Sequence, residues 1–221
     1  MSDVALVCGA GGALGRSLVA AFLARGDRVV GVDRHPDPDL ADVRLEAADL
    51  TIAVDVEALW DRLDADGERP RWLVNAVGAF RGGTVADSEP ESYAFMHNVN
   101  LATAWWSCRA AARRMRPGGA IVNVASRSAV AGGARSGAYS VAKAGVVRLT
   151  EVLAAELAER EVRVNAILPS VIDTPGNRAG QPASSRAGWV SPATIADVVA
   201  FLLSDEAAAI TGAQIPVPGV G

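Results

Sequence analysis

Seven short apolar runs rich in β-branched residues recur along the chain, at 4–8, 28–32, 43–46, 72–76, 120–125, 162–168 and 214–217. Helix-like stretches lie between most of them, at 13–25, 56–64, 90–115, 138–160 and 192–203. A strand with one wet face alternates apolar and polar residues. These runs are nearly unbroken, as strands covered on both faces require. Such an alternation predicts an α/β fold, a doubly wound parallel sheet of about seven strands with helices on both faces. The 221 residues suffice for one well-buried domain, 1–221, and are short for two. Gly26 closes the first helix, and Ser191-Pro192 reads as an N-cap followed by proline in the first turn.

Charge and cysteine usage narrow the partners. Net charge is −4 and the basic residues are scattered, unlike the footprint of a nucleic-acid binder. The densest basic group, Arg113, Arg114 and Arg116, suits a helix C-terminus. Cys8 and Cys108 match no metal or redox spacing, which points to a reduced, cytoplasmic setting without a metal. The N-terminal residues lack a signal peptide's basic region and cleavage site. No apolar stretch is long enough to cross a membrane.

The first strand runs into Gly9-Ala10-Gly11-Gly12-Ala13-Leu14-Gly15 and then a helix. Glycines there let the backbone turn sharply and approach a pyrophosphate, while the helix N-terminus offers unpaired N–H groups. Asp33 ends the second strand eighteen residues after Gly15. A carboxylate there binds both ribose hydroxyls of NAD(H) and repels the 2′-phosphate of NADP(H). Arg34, next to it, keeps NADP(H) open. Asp49 could bond the adenine amino group, and Leu50 could pack on the ring.

Tyr139 and Lys143, four residues apart in a helical stretch, share one face. Ser126 follows the fifth strand, and Asn100 sits in the preceding long helix. Together they form a proton-transfer device. A lysine ammonium and an oxidised nicotinamide would both lower the phenol pKa from its usual value of about 10. Ser126 would polarise the substrate oxygen, Lys143 would also hold the nicotinamide ribose, and Asn100 would hold a relay water. The segment 174–191, after the sixth strand, reads as a substrate lid loop. Phe80, Arg81, Arg127, Val130 and Trp189 are candidates to line the substrate pocket.

These pieces, in this order, make the chain resemble the short-chain dehydrogenase/reductase family over nearly its whole length. The shared segments also include Asn75-Ala76-Val77-Gly78, Tyr139-Ser-Val-Ala-Lys143, Arg163-Val-Asn165 and Pro169 to Thr174. The resemblance implies a Rossmann-type fold, a catalytic tetrad of Asn100, Ser126, Tyr139 and Lys143, and a small-molecule carbonyl or alcohol substrate. It implies cofactor contacts from Asn75, Ala76, Val77, Gly78, Pro169, Val171, Ile172 and Thr174, as well as from the turn, Tyr139 and Lys143. It also implies a homodimer or homotetramer packed through the long helices, where Trp105 and Trp106 lie. Departures are local: Cys8 where threonine is usual, Ala13 for a glycine, Val77 within the asparagine motif, and Ser170 after Pro169. Residues 11–15 and 168–178 resemble the dihydropteridine reductase branch, which lacks the serine and asparagine of the tetrad. The leading expectation is a carbonyl reductase or alcohol dehydrogenase. A dihydropteridine reductase-like enzyme and a dinucleotide-sensing protein remain alternatives.

Overall fold

The computed structural model describes residues 3–40, 42–181 and 186–219. Its single sheet has seven parallel strands in the order β3-β2-β1-β4-β5-β6-β7. These are β1 (Val4–Cys8), β2 (Arg28–Asp33), β3 (Arg44–Ala47), β4 (Trp72–Asn75), β5 (Ala120–Val124), β6 (Arg163–Pro169) and β7 (Gln214–Val217). The helices are α1 (Ala13–Ala24), α2 (Ala53–Ala65), α3 (Pro90–His97), α4 (Thr103–Arg114), α5 (Gly137–Glu156), α6 (Pro175–Gly180) and α7 (Pro192–Leu203). Strand order reverses between β1 and β4, and ligands of open α/β sheets bind outside the carboxyl ends at such a switch.

β1 shows why the runs are unbroken. Val4, Leu6 and Cys8 enter one apolar core with residues of α2, α4 and α5, while Ala5 and Val7 enter a second with α1 and α7. Successive side chains point to opposite faces, so a strand between two helical layers must be apolar throughout. One polar chain crosses the first core. Asn75 donates to Asn123 Oδ1 (2.8 Å), and Asn123 donates to Thr150 Oγ1 (2.9 Å), linking β4 and β5 to α5.

Two expectations are corrected. The helix read over 90–115 is interrupted by a wide π-helical segment, Asn98–Ala102, which separates α3 from α4. The apolar pattern continues across one inserted residue, so the sequence does not mark it. The segment 174–191 is not a plain loop. Pro175 and the Thr174 side chain, which accepts from Asn177 N, start the short helix α6. Residues 182–185 of that segment lie outside the described residues. The segment's ends are clasped: Val190 N–H donates to Val171 O (3.0 Å), and Asp173 N–H donates to Val190 O (2.8 Å).

Candidate active site

The turn after β1 is built around close backbone approach. Gly9 has φ +86°, in the left-handed region, and its N–H donates to Val32 O at 2.8 Å. A Cβ on Gly15 would stand 2.0 Å from Gly9 O, so the third residue of α1 must be a glycine. Gly12 differs, since its Cβ would meet only Gly9 O at 3.4 Å. It caps α1 without a side chain, leaving the first-turn N–H groups of Ala13 and Leu14 uncovered by any cap. This open, glycine-floored helix N-terminus fits a dinucleotide pyrophosphate.

Asp33, at the carboxyl end of β2, accepts from Gly11 N–H through Oδ2 at 3.2 Å. Arg34 reaches across to Asp49 at 4.0 Å. Thr51 N–H and Oγ1 donate to Asp49 Oδ1 at 2.9 and 2.7 Å, and these bonds hold the carboxyl below its usual range. Leu50 is buried in the first core. Asp37, not singled out by sequence, pairs with Arg16 of α1. Its role depends on where the loop after β2 folds, so the sequence carried no signal for it.

Tyr139 lies in the first turn of α5, and Lys143 lies one turn on. Lys143 is the chain's only lysine. It is 3% exposed and donates to Val124 O at 2.8 Å. Burial lowers its pKa to about 8. Gly78 adjoins both Lys143 and Asn100: a Cβ there would stand 3.3 Å from Lys143 Nζ and 3.0 Å from Asn100 Oδ1. Asn100, in the π segment, donates through Nδ2 to Ala79 O (2.9 Å) and Met96 O (3.0 Å) and accepts from Ala79 N–H (3.2 Å). Both amide hydrogens therefore hold backbone, and the wide turn is fastened to the loop after β4.

Ser126 follows β5, and its hydroxyl accepts from Ser128 Oγ at 2.9 Å, a second residue the sequence did not flag. Burial raises the Tyr139 pKa, and the counteracting influence is the Ser126 hydroxyl. This corrects the expectation of a phenol lowered by Lys143: in the protein alone the ammonium points to Val124 O, and desolvation wins.

Phe80 stands edge-on to the Tyr139 ring at 5.1 Å between centroids. Arg81 lies over Phe95, 3.8 Å from the ring centre. Arg127 and Val130 belong to the turn after Ser126 and are exposed. Trp189 lies under the Arg186 guanidinium at 5.9 Å, by the Val171–Val190 clasp. Asn75 is turned into the core, where Nδ2 meets Cys108 Sγ (3.3 Å) and Asn123. Ala76 and Val77 pack against the two cores. Beyond Pro169, the Ile172 carbonyl accepts from Asn177 Nδ2 at 2.8 Å.

A family profile described as Enoyl-(Acyl carrier protein) reductase matches residues 9–219. The chain is 32% identical to D-threitol dehydrogenase of Mycolicibacterium smegmatis over 98% of its own length and 91% of that protein's. It is 33% identical to L-xylulose reductase of Bos taurus, covering 97% and 94%. A solved short-chain type dehydrogenase/reductase from Mycobacterium ulcerans superposes with a TM-score of 0.91 at 27% identity, over 98% of this chain and 90% of that one.

Proposed function

The chain belongs to the short-chain dehydrogenase/reductase family, and from that premise we propose that it interconverts a small-molecule alcohol and carbonyl using NAD(P)(H), with Tyr139 as acid/base. The observation that carries this reading is the convergence of three side chains. Tyr139, Ser126 and Lys143 meet at the carboxyl ends of β4 and β5, beside the loop that follows Gly78.

When bound, the nicotinamide supplies or accepts the hydride. The chain's own groups handle the proton. Tyr139 gives its phenolic proton to the nascent alkoxide oxygen, or takes the hydroxyl proton in the reverse direction. Ser126 donates to that same oxygen, oriented by Ser128. Lys143 supplies positive charge beneath the tyrosine and a donor toward the cofactor ribose. Asn100 fixes the wall beside Lys143, and its remaining Oδ1 lone pair is left to hold a relay water.

NAD(H) is favoured over NADP(H). The Asp33 carboxylate edges the turn, while Arg34 and Arg16 are each drawn to another acid, Asp49 and Asp37. The setting proposed is the cytoplasm, and the assembly a homodimer or homotetramer joined through α4 and α5.

Calorimetry with NADH and NADPH, followed by absorbance assays on a carbonyl and alcohol panel, tests the reading. Binding of at least one nucleotide is expected, and Tyr139→Phe should lower turnover by about 10²–10⁴-fold while the nucleotide still binds. Full activity in that variant refutes the mechanism. Nucleotide binding without turnover of any substrate supports a sensor instead.

A further inference from the structure

Three exposed arginines sit on the loops next to Tyr139. Arg81 follows Phe80, the ring against Tyr139. Arg127 follows Ser126, and Arg135 directly precedes Ser136, the N-cap of α5. The first and third segments are tied together, since Gly83 N–H donates to Arg135 O at 2.9 Å. Among the described residues, none of the three side chains has an ion pair or hydrogen bond. Elsewhere the chain pairs its arginines readily; Glu57 alone takes Arg109, Arg113 and Arg114.

One unpaired surface arginine is ordinary. Three on the loops beside one tyrosine are not, in a chain of net charge −4 with no acid in 76–83 or 125–137. Asp173, on the clasped segment, is occupied by Arg178 at 2.5 Å. Arg81 is stacked on Phe95, and Arg135 keeps a backbone φ of +64°, which favours glycine, although glycines stand at 132 and 133. The same loops leave apolar surface exposed at Phe80 (61%), Val85 and Val130. Val85 packs where a Cβ on Gly137 would be 2.8 Å away, two residues before Tyr139.

Guanidinium groups recognise carboxylate and phosphate through paired, charge-assisted hydrogen bonds, and apolar walls recognise aliphatic chain. We infer that the substrate is an anionic one: an aliphatic carbonyl or alcohol whose remote carboxylate or phosphate sits among Arg81, Arg127 and Arg135 while its reacting carbon meets Tyr139. The anionic group is unchanged by the reaction. This inference rests on the oxidoreductase reading and departs from the neutral polyols that name some relatives.

The test has two arms, both on the full chain. In the first, medium-chain oxo acids are compared with their methyl esters, and with threitol and xylulose, in the presence of NADH or NAD. The carboxylates should be preferred by about tenfold or more in kcat/KM, mainly through KM. In Arg127→Gln/Arg135→Gln that ratio should fall toward one. Esters or polyols preferred, or a ratio unmoved by the double variant, overturn the inference. The second arm needs no turnover. Octanoate and octanol are titrated calorimetrically into nucleotide-loaded protein, with circular dichroism confirming that the variant is folded. Octanoate should bind more tightly, and the double variant should lose that preference. Equal binding, or none, overturns the inference even if nucleotide binds. Failure to bind any nucleotide strikes the oxidoreductase reading itself.

Discussion

At the residue scale, the buried amine of Lys143 leaves a signature in stability. Its pKa is about 8 in the folded chain against 10.5 for free lysine. Between those values the unfolded chain binds more protons, so stability rises with pH, and below about pH 8 the cost of the buried ammonium is present in full. Tyr139 acts oppositely. Its folded pKa is raised from 10.0, so above that pH the unfolded phenol ionises first and stability falls. Urea unfolding should therefore show a gain of about 1–2 kcal/mol from pH 8 to 10. Lys143→Met should abolish the gain, and an equal gain in that variant would assign it to another group. Backbone strain gives a second residue-level contrast. Glu161 is exposed at φ +56° after a short 3-10 turn, so Glu161→Gly should raise stability by about 1 kcal/mol. A lowered melting temperature would show that its side chain has a compensating contact.

At the element scale, the start of α1 separates folding from binding. Gly15→Ala drives a Cβ into the Gly9 carbonyl and should prevent normal folding, seen as lost thermal cooperativity. Gly12→Ala has room at 3.4 Å and should fold with a melting temperature near wild type. It should nonetheless bind nucleotide about tenfold or more weakly, because its methyl stands where the backbone must approach the pyrophosphate. Equal nucleotide affinity in Gly12→Ala would move the pyrophosphate site elsewhere. The elements themselves were largely readable in the sequence. Strands buried on two faces write their position as unbroken apolar runs, and all seven were located to within a residue or two. α6 was missed because six residues are too few to show a helical period. The break at Asn98–Ala102 was missed because a π turn preserves composition while shifting register.

At the scale of the whole molecule, α4 and α5 leave an apolar groove of about 520 Å³ lined by Leu101, Trp105, Leu149 and Val152 among others. Trp105 is 49% exposed there, while Trp106, one residue on, packs against the core, as a 100° step between neighbours demands. If a second copy covers the groove, Trp105→Glu should convert an oligomer to monomer in light scattering. A wild-type monomer would exclude that assembly. Of the candidate site, the glycine turn, Asp33 and Ser126 were legible from the strand ends that the apolar runs mark, and Tyr139 and Lys143 from their helical spacing. Asp37, Val85, Ser128 and Arg135 were not legible, since their approach depends on how the loop after β2 folds toward α1 and those after β4 and β5 toward α5. The uniqueness of Lys143 carries one more consequence. Apart from the α-amine, every amine-directed reagent has a single target on this chain, and that target lies buried one helical turn from Tyr139. Immobilisation or dye labelling through amines should thus leave Lys143 of the folded protein largely untouched. Slow incorporation of a second label, counted by mass, would time the opening of the site.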